Sequence, residues 1–295
     1  MSSSDRALLC LGMGYTARRL GSALRARGWH VAGTARGAGG RDALNGAGFE
    51  ALCLDRGAPL PVGTLDRFDA ILVSVPPDAE GDPVLDMIGD ALAAAQRPGW
   101  IGYLSTTGVY GDTGGAWVDE LTPPHPTQER SRQRLVAEHR WLDLWRTQGR
   151  PVEVFRLAGI YGPGRSALDS VRAGRAHRVI KPGHVSCRVH VDDIVQVLAA
   201  ALDKPNPGTI YNVADDEPAP PQDVITEACA LLSVAAPPEV PWWAAADLSP
   251  MARSFYADTR RVWCGRIKGR LGIRLLHPSY REGLRAILAE ERQQP

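Results

Sequence analysis

Lysine is nearly missing from this sequence. It stands only at 181, 204 and 268 in a chain of 295 residues with 34 basic side chains, so almost every cation is an arginine. Chemistry that needs a lysine ammonium therefore has few places to find one. An excess of one charge is missing as well. The 34 basic residues face 33 acidic ones for a net charge of +1, which gives no footprint for nucleic acid or a membrane surface. No apolar run approaches the ~18 residues that span a bilayer. The five cysteines (10, 53, 187, 229 and 264) are odd in number, widely spaced and without a CxxC, which excludes a disulfide framework. The start, Met1-Ser2-Ser3-Ser4-Asp5-Arg6, lacks a full signal-peptide pattern, so a cytoplasmic protein is expected. Hydrophobic residues at 44% and charged residues at 23% exclude global disorder and a fibrous repeat.

What is there is alternation. Residues 7–11, 30–35, 49–54, 70–75, 101–105 and 151–157 read as short strands. Between them, residues up to 27, 83–96 and 127–148 read as helices, with Gly28 closing the first. Strand–helix alternation of this kind predicts right-handed βαβ units and a buried, doubly wound parallel sheet. After about residue 160 the pattern loosens. A helix is expected at 191–202, a strand at 209–213, a proline-led helix entry at 218–224, a loop at 235–241 and a terminal helix at 278–292. The expected organisation is α/β: a first domain over 1–160, with 186–213 returning to it, and a smaller C-terminal lobe over 161–185 and 214–295. That lobe is placed to cover the C-terminal edge of the sheet, where such folds bind ligands.

Gly12-Met13-Gly14-Tyr15-Thr16-Ala17 is a G-x-G-x-x-A turn between a strand and a helix, the context that makes it a dinucleotide fingerprint of the Rossmann type. Gly12 permits the tight turn, Gly14 lets a pyrophosphate reach the backbone, and Ala17 permits close helix–strand packing. The second strand ends Gly33-Thr34-Ala35-Arg36, without the acid that bonds an NAD ribose. Arg36 suits a 2′-phosphate, so NADP is expected over NAD; the alternative is an ordinary solvated arginine. Asp55, past the third strand, is placed to meet an adenine edge or else is a simple loop aspartate.

Four later segments come in a familiar order: Ser105-Thr-Thr-Gly-Val-Tyr110-Gly111, Arg156-Leu-Ala-Gly-Ile-Tyr161-Gly-Pro-Gly164, Arg188-Val-His190-Val-Asp-Asp193 and Tyr211-Asn-Val-Ala214. With the glycine turn, they make the chain from about 7 to 285 resemble the extended short-chain dehydrogenase/reductases, the group of the sugar-nucleotide epimerases and dehydratases. The subgroup it is most similar to is a bacterial one with the shortened glycine turn. The resemblance implies an NAD(P)-dependent enzyme that passes hydride to or from a small, sugar-like carbonyl or hydroxyl substrate. It implies cofactor contacts from the turn, Val75 and Pro76, a substrate-bonding hydroxyl at Thr106, and substrate contacts from Tyr161, Arg188 and His190. A monomer or homodimer is expected, with a small-molecule partner.

The family's catalytic pair is Tyr-x-x-x-Lys, two residues on one helix face. Here the aligned residues are Arg130 and Arg134. Arg134 retains the capacity to bond the nicotinamide ribose. Arg130 cannot act as a base, because a guanidinium stays protonated, but it suits an oxyanion. The bland alternative makes Arg130, Arg134 and Glu138 a solvated helix face. Tyr110 and Tyr161 are the best remaining acids, with Glu129 and His125 behind them. Two other readings stay open: a non-catalytic NAD(P)-binding sensor, favoured by the missing tyrosine, and a β-hydroxyacid dehydrogenase, which shares the start of the chain only. His184, Cys187 and His190 are zinc-type ligands, but they alternate along a strand without a fourth, and no metal is expected. Trp242 and Trp243 read as packing.

Overall fold

The computed structural model describes residues 6–245, 248 and 250–293. Residues 1–5, on which the signal-peptide reading rests, lie outside them.

Seven strands build the central sheet: β1 (Ala7–Leu11), β2 (His30–Ala35), β3 (Glu50–Cys53), β4 (Ala70–Val73), β5 (Trp100–Thr106), β7 (Val152–Leu157) and β11 (Ile210–Val213). Their order is β11-β7-β5-β4-β1-β2-β3. β1 is the hinge of this order. It runs parallel to β2 on one side, with Leu9 opposite Ala32, and parallel to β4 on the other, with Leu9 opposite Ile71. The chain therefore winds away from β1 in both directions, and the switch point falls between the ends of β1 and β4, where open α/β sheets hold ligands. Buried on both faces, β1 and β4 read as unbroken apolar runs rather than alternating ones.

The helices α1 (Tyr15–Ala26), α2 (Ala38–Gly46), α3 (Pro83–Ala94) and α4 (Glu129–Gln148) pack in the same compact unit, which comprises 1–106, 128–156 and 195–211. Its core joins Leu9, Leu11, Ile71, Val73, Ile101 and Tyr103 to Leu85, Trp141 and Leu142. Asp82 caps α3 by accepting the Val84 and Leu85 N–H groups, and its second oxygen accepts the Trp141 indole N–H at 2.8 Å, tying α3 to α4.

The second unit comprises 107–127, 157–194 and 212–295. It holds three two-stranded parallel pairs: β8 (Gly159–Tyr161) with β10 (Arg188–His190), β9 (Arg178–Ile180) with β12 (Glu239–Pro241), and β6 (Trp117–Val118) with β13 (Arg261–Val262). The helices α5 (Ala167–Arg172), α7 (Pro221–Leu231) and α10 (Tyr280–Gln293) share a core through Leu168, Val224, Ala228, Leu284 and Ile287. Helix α6 spans Val191–Asp203, and α8 (Pro250–Phe255) and α9 (Gly265–Leu271) complete the chain.

Three boundaries depart from the sequence reading. Residues 107–127, expected in the first domain, cluster with the second unit because Trp117–Val118 pairs with Arg261–Val262, and residues 157–160 cluster there too. Of the segment expected to return to the first domain, only 195–211 does so. The loop expected at 235–241 contains β12, paired in register with β9. Of the two tryptophans read as packing, Trp242 is half-buried while Trp243 is exposed.

One interaction fixes α4 against the sheet. Glu138 is fully buried, and so is its partner Arg156 on β7. Arg156 grips both Glu138 oxygens, its Nε at 3.1 and 3.2 Å and one terminal nitrogen closer still, while the Ser105 hydroxyl at the end of β5 donates to Oε2 at 2.8 Å. Glu138→Ala would leave a buried guanidinium unpaired, a change that costs about 3–5 kcal/mol. We expect the melting temperature to fall by roughly 10 °C, with recovery when Arg156→Met joins Glu138→Leu. A fall of under ~2 °C in Glu138→Ala would contradict the pinning role.

Candidate functional site

The glycine turn leaves an uncapped helix end with open space beside it in the first unit. β1 ends at Leu11, and Gly12 turns with φ +82, a conformation that favours glycine. A Cβ there would also meet Val75 Cγ2 at 2.8 Å. Two hydrogen bonds hold the turn. The Gly12 N–H donates to Thr34 Oγ1 at 2.8 Å, and the Ser74 hydroxyl donates to the Gly12 carbonyl at 2.5 Å. The expected fourth strand stops at Val73 because Ser74 is spent on this contact, so Val75 borders the turn and Pro76 is exposed beyond it.

Gly14 is the N-cap of α1, and no side chain caps that end. Nothing lies within 4 Å of where its Cβ would be. The first N–H groups of α1, from Tyr15 and Thr16 onward, are therefore presented at an open, positive helix end. Ala17 is buried, as close strand–helix packing requires. Met13 turns inward instead. Its side chain fills the space over Gly33 and Gly21, and its carbonyl accepts from the Arg18 Nε at 3.1 Å. Arg36 is exposed past β2. Asp55 is an exposed loop residue whose carboxylate accepts the Arg56 N–H at 2.9 Å.

Thr106 ends β5, and Arg130 and Arg134 lie one turn apart on α4. Arg130 is exposed. One Arg134 nitrogen donates to the Leu104 carbonyl at 2.8 Å and to the Tyr103 hydroxyl at 3.3 Å, and its guanidinium lies 5.7 Å from the Tyr103 ring centre. Burial pushes the Tyr103 phenol well up. Glu138, one turn further on, is no part of a solvated face: it is the buried partner of Arg156. A helical glutamate looks like surface in sequence, and only Arg156, eighteen residues on, explains it.

In the second unit, Tyr110 is 1% exposed and its hydroxyl donates to Asn212 Oδ1 at 2.8 Å, so that proton is committed to the interior. Tyr161 donates to the Ser279 carbonyl at 3.3 Å, and burial pushes its phenol well up. Tyr161 and Arg188 both line a cavity of about 530 Å³. His190 does not. It is 1% exposed, packed edge-on to Tyr161 at 5.1 Å and against His277 at 4.1 Å, and it supports the wall rather than facing the cavity.

The zinc-type residues separate. His184 Nδ1 bonds the Thr259 hydroxyl at 2.7 Å, and burial pushes its imidazole down to about 4. The Cys187 sulfur accepts the Val262 N–H. Among the described residues, ligand atoms of His190, Asp193 and His277 lie within 4.8 Å of one another. Two of the three have another task. The Asp193 oxygens accept the Leu276 and His277 N–H groups at 2.6 and 3.2 Å, and His190 Nδ1 accepts the Asp192 N–H at 3.2 Å. An acceptor at Nδ1 leaves the proton of the neutral ring on Nε2, where a metal would have to bind.

Among the described residues no helix is long and apolar enough to cross a membrane. Gly14→Val should abolish NAD(P) binding in a protein that melts as wild type does, because the branched side chain would fill the open side of the turn. Unchanged cofactor affinity by calorimetry would make the turn merely structural.

Comparison with known proteins agrees with this arrangement. Residues 88–214 match the NAD dependent epimerase/dehydratase family. The chain is 30% identical over 218 residues to Protein YeeZ of Escherichia coli K12, across 69% of this chain and 75% of that one. A structure of a conserved protein of unknown function from Silicibacter pomeroyi DSS is 49% identical, with a TM-score of 0.89 over 98% of this chain and 100% of that chain. UDP-glucuronic acid 4-epimerase from Bacillus cereus, solved with NAD, shares the fold alone: 17% identity and a TM-score of 0.77 over 97% of each chain. The glycine turn, the doubly wound sheet and these similarities place the chain in the NAD-dependent epimerase/dehydratase family.

Proposed function

We propose that the protein is an NAD(P)-dependent oxidoreductase or epimerase/dehydratase-like enzyme, acting on a small, sugar-like carbonyl or hydroxyl substrate. The observation that carries this reading is the open Gly14 cradle. Gly14 caps α1 without a side chain and has empty space where a Cβ would stand. The donor set suits a pyrophosphate: backbone N–H groups at a helix N-terminus, with no acid in the first turn of α1 to repel it. When bound, the nicotinamide supplies or accepts hydride at its C4. The solved Bacillus cereus epimerase holds NAD on the same fold.

NADP is the cofactor we favour. Arg36 is exposed at the end of β2, and Thr34, just before it, spends its hydroxyl on the Gly12 N–H. No acid stands there to bond a ribose 2′-hydroxyl. We expect NADP(H) to bind more tightly than NAD(H), and Arg36→Ala to weaken NADP(H) selectively by ~10-fold. Calorimetric titration of both cofactors checks this. Equal affinities in wild type would overturn the preference.

In this reading Thr106 holds the reacting oxygen and Arg130 stabilises the charge that develops on it. A guanidinium suits that role and cannot be the proton shuttle. Arg134 adds its charge beside Tyr103 at the end of β5. With the Tyr110 and Tyr161 hydroxyls donating to Asn212 and to the Ser279 carbonyl, the proton comes from water. Arg130→Ala should lower turnover by ~10²–10³, the scale of losing one oxyanion donor. NADPH oxidation across a panel of aldehydes, ketones and keto-sugars provides the assay. Undiminished turnover in Arg130→Ala would refute the oxyanion role. Tight NADPH binding without turnover on any substrate would favour the sensor reading, to which the two arginines at the family's tyrosine and lysine positions also point.

A further inference from the structure

The glycine turn presents donors and hides its acceptors. The Gly12 carbonyl accepts the Ser74 hydroxyl at 2.5 Å, and the Met13 carbonyl accepts the Arg18 Nε at 3.1 Å. Carbonyl oxygens left bare at this end would repel an anion. With both spent inside the protein, the turn offers the backbone N–H groups at the uncapped start of α1. Met13 sets this arrangement. Its side chain packs against two glycines: a Cβ at Gly21 would meet Met13 Cε at 2.9 Å, and one at Gly33 would meet Met13 Sδ at 2.8 Å. That packing fixes the Met13 backbone, and with it the carbonyl on which Arg18 rests.

Arg18 stands just past the dinucleotide fingerprint, which specifies nothing there. It lies one turn after Gly14, and its N–H donates to the Gly14 carbonyl at 2.9 Å. Residues at that spacing share a helix face. Gly14 and Arg18 are both exposed, whereas Thr16, Ala17, Leu20 and Leu24 are buried. Helical side chains lean towards the N-terminus, and the Nε bond to Met13 holds this guanidinium at that end. Among the described residues the Arg18 side chain makes no other hydrogen bond and no ion pair, which leaves both terminal nitrogens without a protein acceptor. The charge also stands at the wrong end of the helix. A helix N-terminus is the positive pole and favours acids, yet the first turn of α1 holds none and a cation leans over it. In the protein alone that placement is unfavourable, and a bound anion reverses its sign.

We propose that Arg18 is a cofactor-binding residue: its guanidinium, anchored on the Met13 carbonyl beside Gly14, binds the pyrophosphate of NAD(P) together with the N–H groups of α1. The proposal rests on the reading of the glycine turn as the cofactor cradle and adds the cation that completes it. A guanidinium fork gives a phosphate paired, charge-assisted hydrogen bonds. The pyrophosphate is common to NAD and NADP, so Arg18 contributes to the affinity for both and does not choose between them.

Calorimetry with NADPH, NADH and ADP-ribose tests the assignment, because all three carry the pyrophosphate and ADP-ribose lacks the nicotinamide. Arg18→Gln should weaken all three to the same extent, by ~10-fold or more. Arg18→Glu, which reverses the charge, should weaken them by ~100-fold. The melting temperature without cofactor separates binding from support of the turn. Because Arg18 opposes the helix dipole, both variants should melt at or above the wild-type temperature when no cofactor is present. A residue that only braces the turn would lower it. Three results would overturn the proposal. The first is unchanged NADPH affinity in Arg18→Gln. The second is a loss confined to NADPH, which would place Arg18 at the 2′-phosphate. The third is a weakened affinity accompanied in both variants by a cofactor-free melting temperature several degrees below wild type. Wild-type protein that binds none of the three ligands would instead count against the proposed enzyme function.

Discussion

The ion pair between Glu138 and Arg156 sets the terms for α4. Both groups are fully buried, so each would be costly alone, and the Ser105 hydroxyl takes a further lone pair of the carboxylate. A single register of α4 satisfies all three. Sliding the helix by one residue would strand Glu138 in the core and leave Arg156 unpaired. The register in turn puts Arg134 over the end of β5, at the Leu104 carbonyl and Tyr103 hydroxyl, and Arg130 one turn away towards solvent. The positions that carry chemistry elsewhere in the family are thus delivered by a pair that takes no part in it. The residues that fill them here are arginines.

In the proposed reading, that substitution shifts the chemistry from proton transfer to charge stabilisation. A tyrosine–lysine pair works because a nearby cation lowers a phenol pKa to where it can give and take a proton. Two arginines keep the cation and lose the phenol. Three buried tyrosines do not replace it in kind. Tyr103 and Tyr161 are both pushed up by burial, and the Tyr110 hydroxyl is held by Asn212. A site of this kind is suited to a substrate whose reacting oxygen gains negative charge and whose proton comes from a high-pKa donor or from water.

Much of this was legible in the residues, and what was not has a physical reason. The glycine turn could be read because its requirements are local: φ +82 at Gly12 and free space at Gly14 are properties of a few neighbours. Strands β1 and β4 could be read because double burial makes them continuous apolar runs. Helix α2 was not foreseen, since its sequence, Ala-Gly-Gly-Arg-Asp-Ala-Leu-Asn-Gly, is poor in helix formers and buries only Leu44. Glu138 reads as a surface charge on a polar helix. Its burial depends on Arg156, a partner supplied by a strand eighteen residues on. The allocation of 107–127 to the second unit rests on a two-residue strand pair, below what any periodicity can signal.

The central claim is that the protein transfers hydride despite lacking the family's tyrosine. It is tested most directly by following deuterium from NADPH deuterated at C4 into product, by mass spectrometry, with keto-sugars and simple ketones as acceptors. The account predicts one deuterium in each product molecule, delivered from a single face of the nicotinamide. Tight NADPH binding with no deuterium transferred to any acceptor would contradict it.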